Sequence, residues 1–179
     1  MNSPACPWPM PSPNGSMYTL RCTKKLLDRI GLPVESLLPS PTTILGDWCA
    51  TVLFWRPQVA LLVNERTLLP VLMPLAPAAT LVSRIPEQVA SILERHRVDQ
   101  SVIARELSAM SEVSVAKTAN RSVVGTMNEF AFLAEAYRYR SETTDLSALS
   151  MRLAKTPCGA IRHKSPADLI IEIVTTGPA

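Results

Sequence analysis

Lys117, Thr118, Asn120, Arg121, Ser122 and Asn128 crowd one short stretch of the chain. They lie where an alternating segment, Glu112 to Ala116, gives way to a long helical pattern from about Arg121 to Arg140. Asn120 is a good N-cap, and the first turn of a helix leaves N–H groups unpaired beside the positive end of its dipole. Lys117 and Arg121 add positive charge to that corner. Such a combination can hold phosphate or carboxylate. Arg121, Gly125 and Asn128 are spaced i, i+4 and i+7, so they share one helix face, and Gly125 leaves room for a ligand or a neighbouring backbone. Each feature also has a plain structural reading. Asn120 can serve only as a cap, Gly125 can permit close strand–helix packing, and Arg121 can pair with Asp47 or Glu65.

Asp47 and Glu65 form the second group. They flank a predicted hairpin at the same end, so an antiparallel pairing brings them close. Paired carboxylates can perturb each other's protonation and serve acid–base chemistry or a hard metal ion. They serve as readily as turn formers or salt-bridge partners. The four cysteines, Cys6, Cys22, Cys49 and Cys158, make no C-x-x-C pair, and only His96 and His163 could join them as ligands. Scattered ligands do not make a structural zinc site, so no metal and no cofactor is expected. His96 falls on the apolar side of its helix and reads as a packing residue, and His163, between Arg162 and Lys164, as a solvated loop residue. G-x-S-x-G, P-loop, H-E-x-x-H and G-x-G-x-x-G motifs are absent.

The elements that must position these groups follow from pattern. The chain has 179 residues, 47% of them hydrophobic and 18% charged, with a net charge of +3. One compact domain with a sizeable core is expected, and the charge is too mild for a nucleic-acid footprint by itself. Residues 1–16, with Pro4, Pro7, Pro9, Pro11 and Pro13, read as a disordered tail, and Met17 as an alternative start. A single domain over residues 17–179 follows.

Tyr18 to Cys22 alternates as a strand, and Thr23 to Gly31 reads as a short capped helix. Asp47 to Trp55 and Val59 to Val63 form a hairpin, and Thr67 to Met73 an edge strand carrying Pro70. Pro86 suits a first helical position, with Val89, Ile92, Leu93 and His96 following. Asp99 caps a further helix through Leu107. In the long helix Val123, Met127, Phe130, Ala134 and Tyr137 recur at helical spacing, while Gly125, Phe132, Ala136 and Tyr139 leave the opposite side weakly polar. Thr144 and Ser165-Pro166 open two more helices. The fold class is α+β: a small antiparallel sheet packed against several helices, with one long central helix. No stretch reads as a membrane span, because prolines interrupt the longest apolar run, Thr67 to Val82. The N-terminus lacks a secretory pattern, so reduced cysteines and a cytoplasmic setting are expected.

The stretches Arg21-Cys22-Thr23-Lys24-Lys25-Leu26-Leu27, Gly46-Asp47-Trp48, Asn64-Glu65-Arg66-Thr67-Leu68 and Ala116 to Asn128 occur in that order, followed by Thr156-Pro157-Cys158-Gly159 and Ser165-Pro166. Together they resemble a small bacterial family of unknown function over roughly Tyr18 to Ile173. The resemblance implies one domain in a bacterial intracellular setting and carries no mechanism. The function expected is a binding or interaction module with an anion site at the start of the long helix, and a protein partner or homo-oligomer. The alternative is a small enzyme on a phosphate-bearing substrate, such as a toxin-like ribonuclease. There Lys117 and Arg121 would stabilise developing negative charge, and Asp47 or Glu65 would act as general base.

Overall fold

In the computed structural model of the chain, the structure describes residues 15, 17–141 and 144–176. The Pro-rich tail expected over residues 1–16 lies almost wholly outside the described residues. Five strands, β1 (Met17–Cys22), β2 (Trp48–Leu53), β3 (Val59–Asn64), β4 (Pro70–Pro74) and β5 (Glu112–Lys117), form one sheet in the order β4-β3-β2-β1-β5. Among the described residues six α-helices pack with it: α1 (Lys24–Ile30), α2 (Leu81–Arg95), α3 (Gln100–Ala109), α4 (Arg121–Ser141), α5 (Leu146–Leu153) and α6 (Pro166–Thr176). The fold is α+β.

The sheet is mixed rather than simply antiparallel. β2, β3 and β4 form the expected antiparallel meander, with Pro70 opening the edge strand, but β1 runs parallel to both β2 and β5. The parallel pairing follows from the crossover between β1 and β2. α1 and the loop over residues 31–47 carry the chain back across the sheet, so β2 starts at the edge where β1 started. Gly31, at φ +65, closes α1 in the left-handed conformation that glycine adopts at little cost. The loop is then tied down by Glu35 N–H to Val115 O at 2.8 Å and Thr42 N–H to Met17 O at 2.9 Å.

Alternation along the strands sorts the core onto two faces. Tyr18, Leu20, Cys22, Trp48, Ala50 and Val52 point to the side covered by α1, α2 and α3, where Ile170 of α6 also packs. Cys49, Leu53, Leu61 and Val63 point to the other side, where α4 brings Val123, Met127, Phe130 and Ala134, and α5 brings Leu149 and Leu153. β2 and β3 are therefore buried at every position. The periodic residues of α4 are its core face, as the spacing predicts.

Three local expectations are corrected. α2 begins at Leu81 after a 3-10 turn, so Pro86 sits inside the helix rather than at its first position. Burial of Leu81, Val82 and Ile85 outweighs the intrahelical bond that proline cannot donate. Asp145, not Thr144, caps α5: its carboxylate accepts from Ser147 N–H at 2.9 Å and Ala148 N–H at 3.2 Å. Thr23 occupies the N-cap of α1, but its hydroxyl bonds Thr51 across the sheet at 3.0 Å instead of capping the helix.

Candidate functional site

β1 and β5 lie side by side and parallel, and Cys22 is paired with Lys117 at their carboxyl ends. The chain leaves β1 into α1 on one face of the sheet and leaves β5 into α4 on the other. Adjacent parallel strands whose following helices depart to opposite faces leave a crevice outside their carboxyl ends, the place where open sheets with helices bind ligands. The predicted cluster stands at this crevice. Thr118 N–H donates to Cys22 O at 3.2 Å and fixes the first residue beyond β5.

Two grooves meet at Thr118. One, of about 540 Å³, is lined on the α1 side by Lys24, Leu27, Leu32 and Val34 and on the other by Lys117. The second, of about 420 Å³, runs along α4 past Ala119, Arg121, Val124, Gly125 and Asn128. Lys117 and Arg121 are exposed and form no ion pair with the described residues. Asp28 also borders the first groove, and it is held by Lys24 at 3.3 Å.

Asn120 caps α4 as expected. Its side-chain oxygen accepts from Ser122 N–H at 3.1 Å and Val123 N–H at 3.3 Å. Those two amides are thereby occupied, and an incoming anion would meet the Arg121 N–H and the two basic side chains instead. Ser122 is exposed but borders neither groove; its carbonyl accepts from the Thr126 hydroxyl at 3.3 Å. So Lys117, Thr118, Arg121 and Asn128 line the crevice, Asn120 shapes it, and Ser122 stands outside it.

Gly125 does not serve strand–helix packing. It is exposed, and a Cβ built on it meets nothing within 4 Å. Gly125→Ala should therefore stabilise the fold by about 1 kcal/mol, the usual helix-interior difference. Chemical denaturation checks this: an unchanged or lowered midpoint would show that the site needs glycine for a reason internal to the fold.

Asp47 and Glu65 are near neighbours, as the hairpin predicts: Glu65 N–H donates to Asp47 O at 3.0 Å. The Asn64 side chain builds this corner. Its amide donates to Leu45 O and Asp47 O, and its oxygen accepts from Arg66 N–H, Thr67 N–H and the Thr67 hydroxyl. The arginine that reaches the two carboxylates is Arg21, not Arg121. Arg21 Nη2 lies 3.4 Å from Asp47 Oδ2, and Nε lies 3.3 Å from Glu65 Oε1. Asp47 Oδ1 also accepts Thr19 N–H at 2.8 Å, and Glu65 Oε1 accepts the Cys49 thiol at 3.1 Å.

The two carboxylates sit at different levels of β1. Asp47 binds at the level of Thr19, three residues or about 10 Å before Cys22, whereas Glu65, bonded to Cys49, reaches the level of Arg21, one residue before Cys22. Neither carboxylate lines either groove. Among the described residues no three His, Cys, Asp or Glu side chains gather as a metal-ligand set.

Cys22, Cys49 and Cys158 are buried and free, while Cys6 lies outside the described residues. Burial pushes the Cys22 thiol up to about 12 and Cys158 to about 11. It also raises Cys49, helped by the adjacent Glu65. These thiols are held in the protonated form, which is a poor nucleophile. His96 is half-buried at the end of α2, and burial, then the charge of Lys155, lowers its proton affinity. His163 is exposed in a loop. Among the described residues no helix is long and apolar enough to cross a membrane.

No curated protein and no solved structure shows significant similarity to the chain. A family model described as a domain of unknown function, DUF6933, matches residues 19–169. That span runs from β1 into α6 and contains both the Arg21 network and the crevice at Thr118. The chain belongs to the DUF6933 family.

Proposed function

We propose that the protein is a binding domain for a phosphate-bearing ligand, seated across the carboxyl ends of β1 and β5. The observation that carries this reading is the departure of α1 and α4 to opposite faces, with Lys117 and Arg121 flanking the crevice and unpaired among the described residues. Two cations with no carboxylate partner among the described residues of their own chain repel each other, and an anion between them relieves that repulsion while accepting charge-assisted hydrogen bonds. The Thr118 hydroxyl and the Arg121 N–H supply further donors. The ribonuclease alternative needs Asp47 or Glu65 as general base. Both are engaged with Arg21 away from the grooves, so the geometry favours binding over hydrolysis. The buried free thiols agree with a reducing, cytosolic setting.

Calorimetric titration with pyrophosphate tests the reading. Lys117→Ala and Arg121→Ala should each weaken binding about tenfold or more, a loss of about 1.4 kcal/mol. Equal affinity in folded wild type and variants would overturn it. Both side chains are exposed, so neither substitution should disturb folding.

A further inference from the structure

The outward face of α4 carries a continuous stripe. Arg121, Gly125, Asn128, Phe132, Glu135 and Tyr139 recur at alternating four- and three-residue steps, and at 100° per residue they span an arc of about 80°. This arc lies opposite the core residues Val123, Met127, Phe130 and Ala134. Phe132 is 75% and Tyr139 87% exposed, both on this stripe. Glu135 is exposed and, like Arg121, forms no ion pair with the described residues. Gly125 lies between them with open space above its Cα, at a helix-interior position where glycine weakens the helix.

We propose that this stripe is a self-complementary interface, on which α4 of a second copy of the chain packs antiparallel about a two-fold axis passing close to Asn128. The charge pattern selects both the occupant and the direction. Asn128 lies midway between Arg121 and Glu135, so the two-fold sets each Arg121 against the other copy's Glu135 at both ends. A parallel arrangement would oppose like charges. The same axis brings each Phe132 over Val124 and Gly125 of the other helix, where the missing side chain leaves the space an aromatic ring needs. Antiparallel helix dipoles also favour the pairing. The second copy thus covers Phe132, the unpaired charges and the uncovered glycine together. The interface goes beyond phosphate binding but shares one residue with it: Arg121 borders both the crevice and the stripe, so its pairing with the second copy's Glu135 competes with its contact to phosphate.

Light scattering after size exclusion, over a range of loading concentrations, reads the outcome on the full chain. Wild type should show a particle of twice the 19.6 kDa chain mass. Phe132→Glu should give the single-chain mass with an unchanged far-ultraviolet spectrum, because this side chain is exposed. Arg121→Glu and Glu135→Arg should each shift the mass toward the single chain, and the double reversal Arg121→Glu/Glu135→Arg should restore the doubled mass. A wild type that stays single at every concentration overturns the interface, as does a doubled mass that survives Phe132→Glu and both single reversals. Pyrophosphate titration separates this result from the binding reading. Phe132→Glu, which releases Arg121 from the second copy's Glu135, should bind pyrophosphate at least as tightly as wild type, whereas the double reversal should regain the doubled mass without regaining affinity.

Discussion

Replacing Arg21 by alanine should lower the free energy of unfolding by about 3 kcal/mol. Arg21 joins two carboxylates, at 3.4 Å and 3.3 Å, and all three side chains are mostly buried: 21% of Arg21, 11% of Asp47 and 21% of Glu65 remains exposed. Removing the cation leaves two negative charges beside each other at the end of the β2–β3 hairpin, with little water to screen them. Breaking a buried pair by deleting one partner costs about 3–5 kcal/mol, and the residual exposure places this case at the lower end. Thr19 N–H and the Cys49 thiol continue to hold one oxygen of each carboxylate, so the fold should weaken without collapsing. Arg21→Ala combined with Asp47→Asn and Glu65→Gln removes the repulsion and should recover part of the loss. Urea denaturation of the single and triple variants checks both statements. A single variant within 1 kcal/mol of wild type would mean that the network adds little to the fold.

Glu106→Ala should cost about as much, through a different cause. Glu106 on α3 is 1% exposed, and its carboxylate accepts Ile44 N–H at 2.6 Å and Leu45 N–H at 3.2 Å. It thus anchors the loop that leads into Asp47 and β2. Truncation strands those two backbone donors and opens a cavity, for an expected loss of about 3 kcal/mol. Burial raises the Glu106 carboxyl above its ordinary value of 4.5, while the two amide bonds and Arg105 pull against that rise. The folded state therefore binds this proton more tightly than the unfolded chain does. The corresponding contribution is fully present below 4.5 and is lost as pH rises through the raised value. Denaturation midpoints at a series of pH values should show wild type losing stability relative to Glu106→Gln across that window. A constant difference between the two proteins would contradict the assignment.

The parts of the fold that were legible in the sequence rest on local signals. The hairpin of β2 and β3 follows from strand formers on either side of Arg56-Pro57-Gln58, and the meeting of Asp47 with Glu65 follows from hairpin geometry alone. The core face of α4 follows from Val123, Met127, Phe130 and Ala134, and its start from Asn120. The parts that were not legible depend on distant partners. The parallel seat of β1 between β2 and β5 is set by a crossover whose helix is short and whose loop is rich in proline, so no periodicity marks it. That pairing brings Arg21, rather than the Arg121 that the sequence suggests, to Asp47 and Glu65. Arg21 does stand on the opposite side of β1 from Leu20 and Cys22, and this alternation was the available signal. Glu106 gave none: a carboxylate on an amphipathic helix reads as solvated until the loop that covers it is placed. The candidate crevice was half legible. Its residues cluster in sequence, but Lys24 and the α1 wall join them only through the parallel pairing of β1 with β5.

The most direct test is an amide nuclear magnetic resonance titration of the chain with pyrophosphate. Binding across the carboxyl ends of β1 and β5 should move the signals of Thr118, Ala119 and Arg121 along saturable curves, leave those around Asp47 and Glu65 in place, and need about ten times as much pyrophosphate or more in Lys117→Ala. Signals at Thr118 to Arg121 that stay still while others move, or a Lys117→Ala response equal to wild type, would contradict the proposed site.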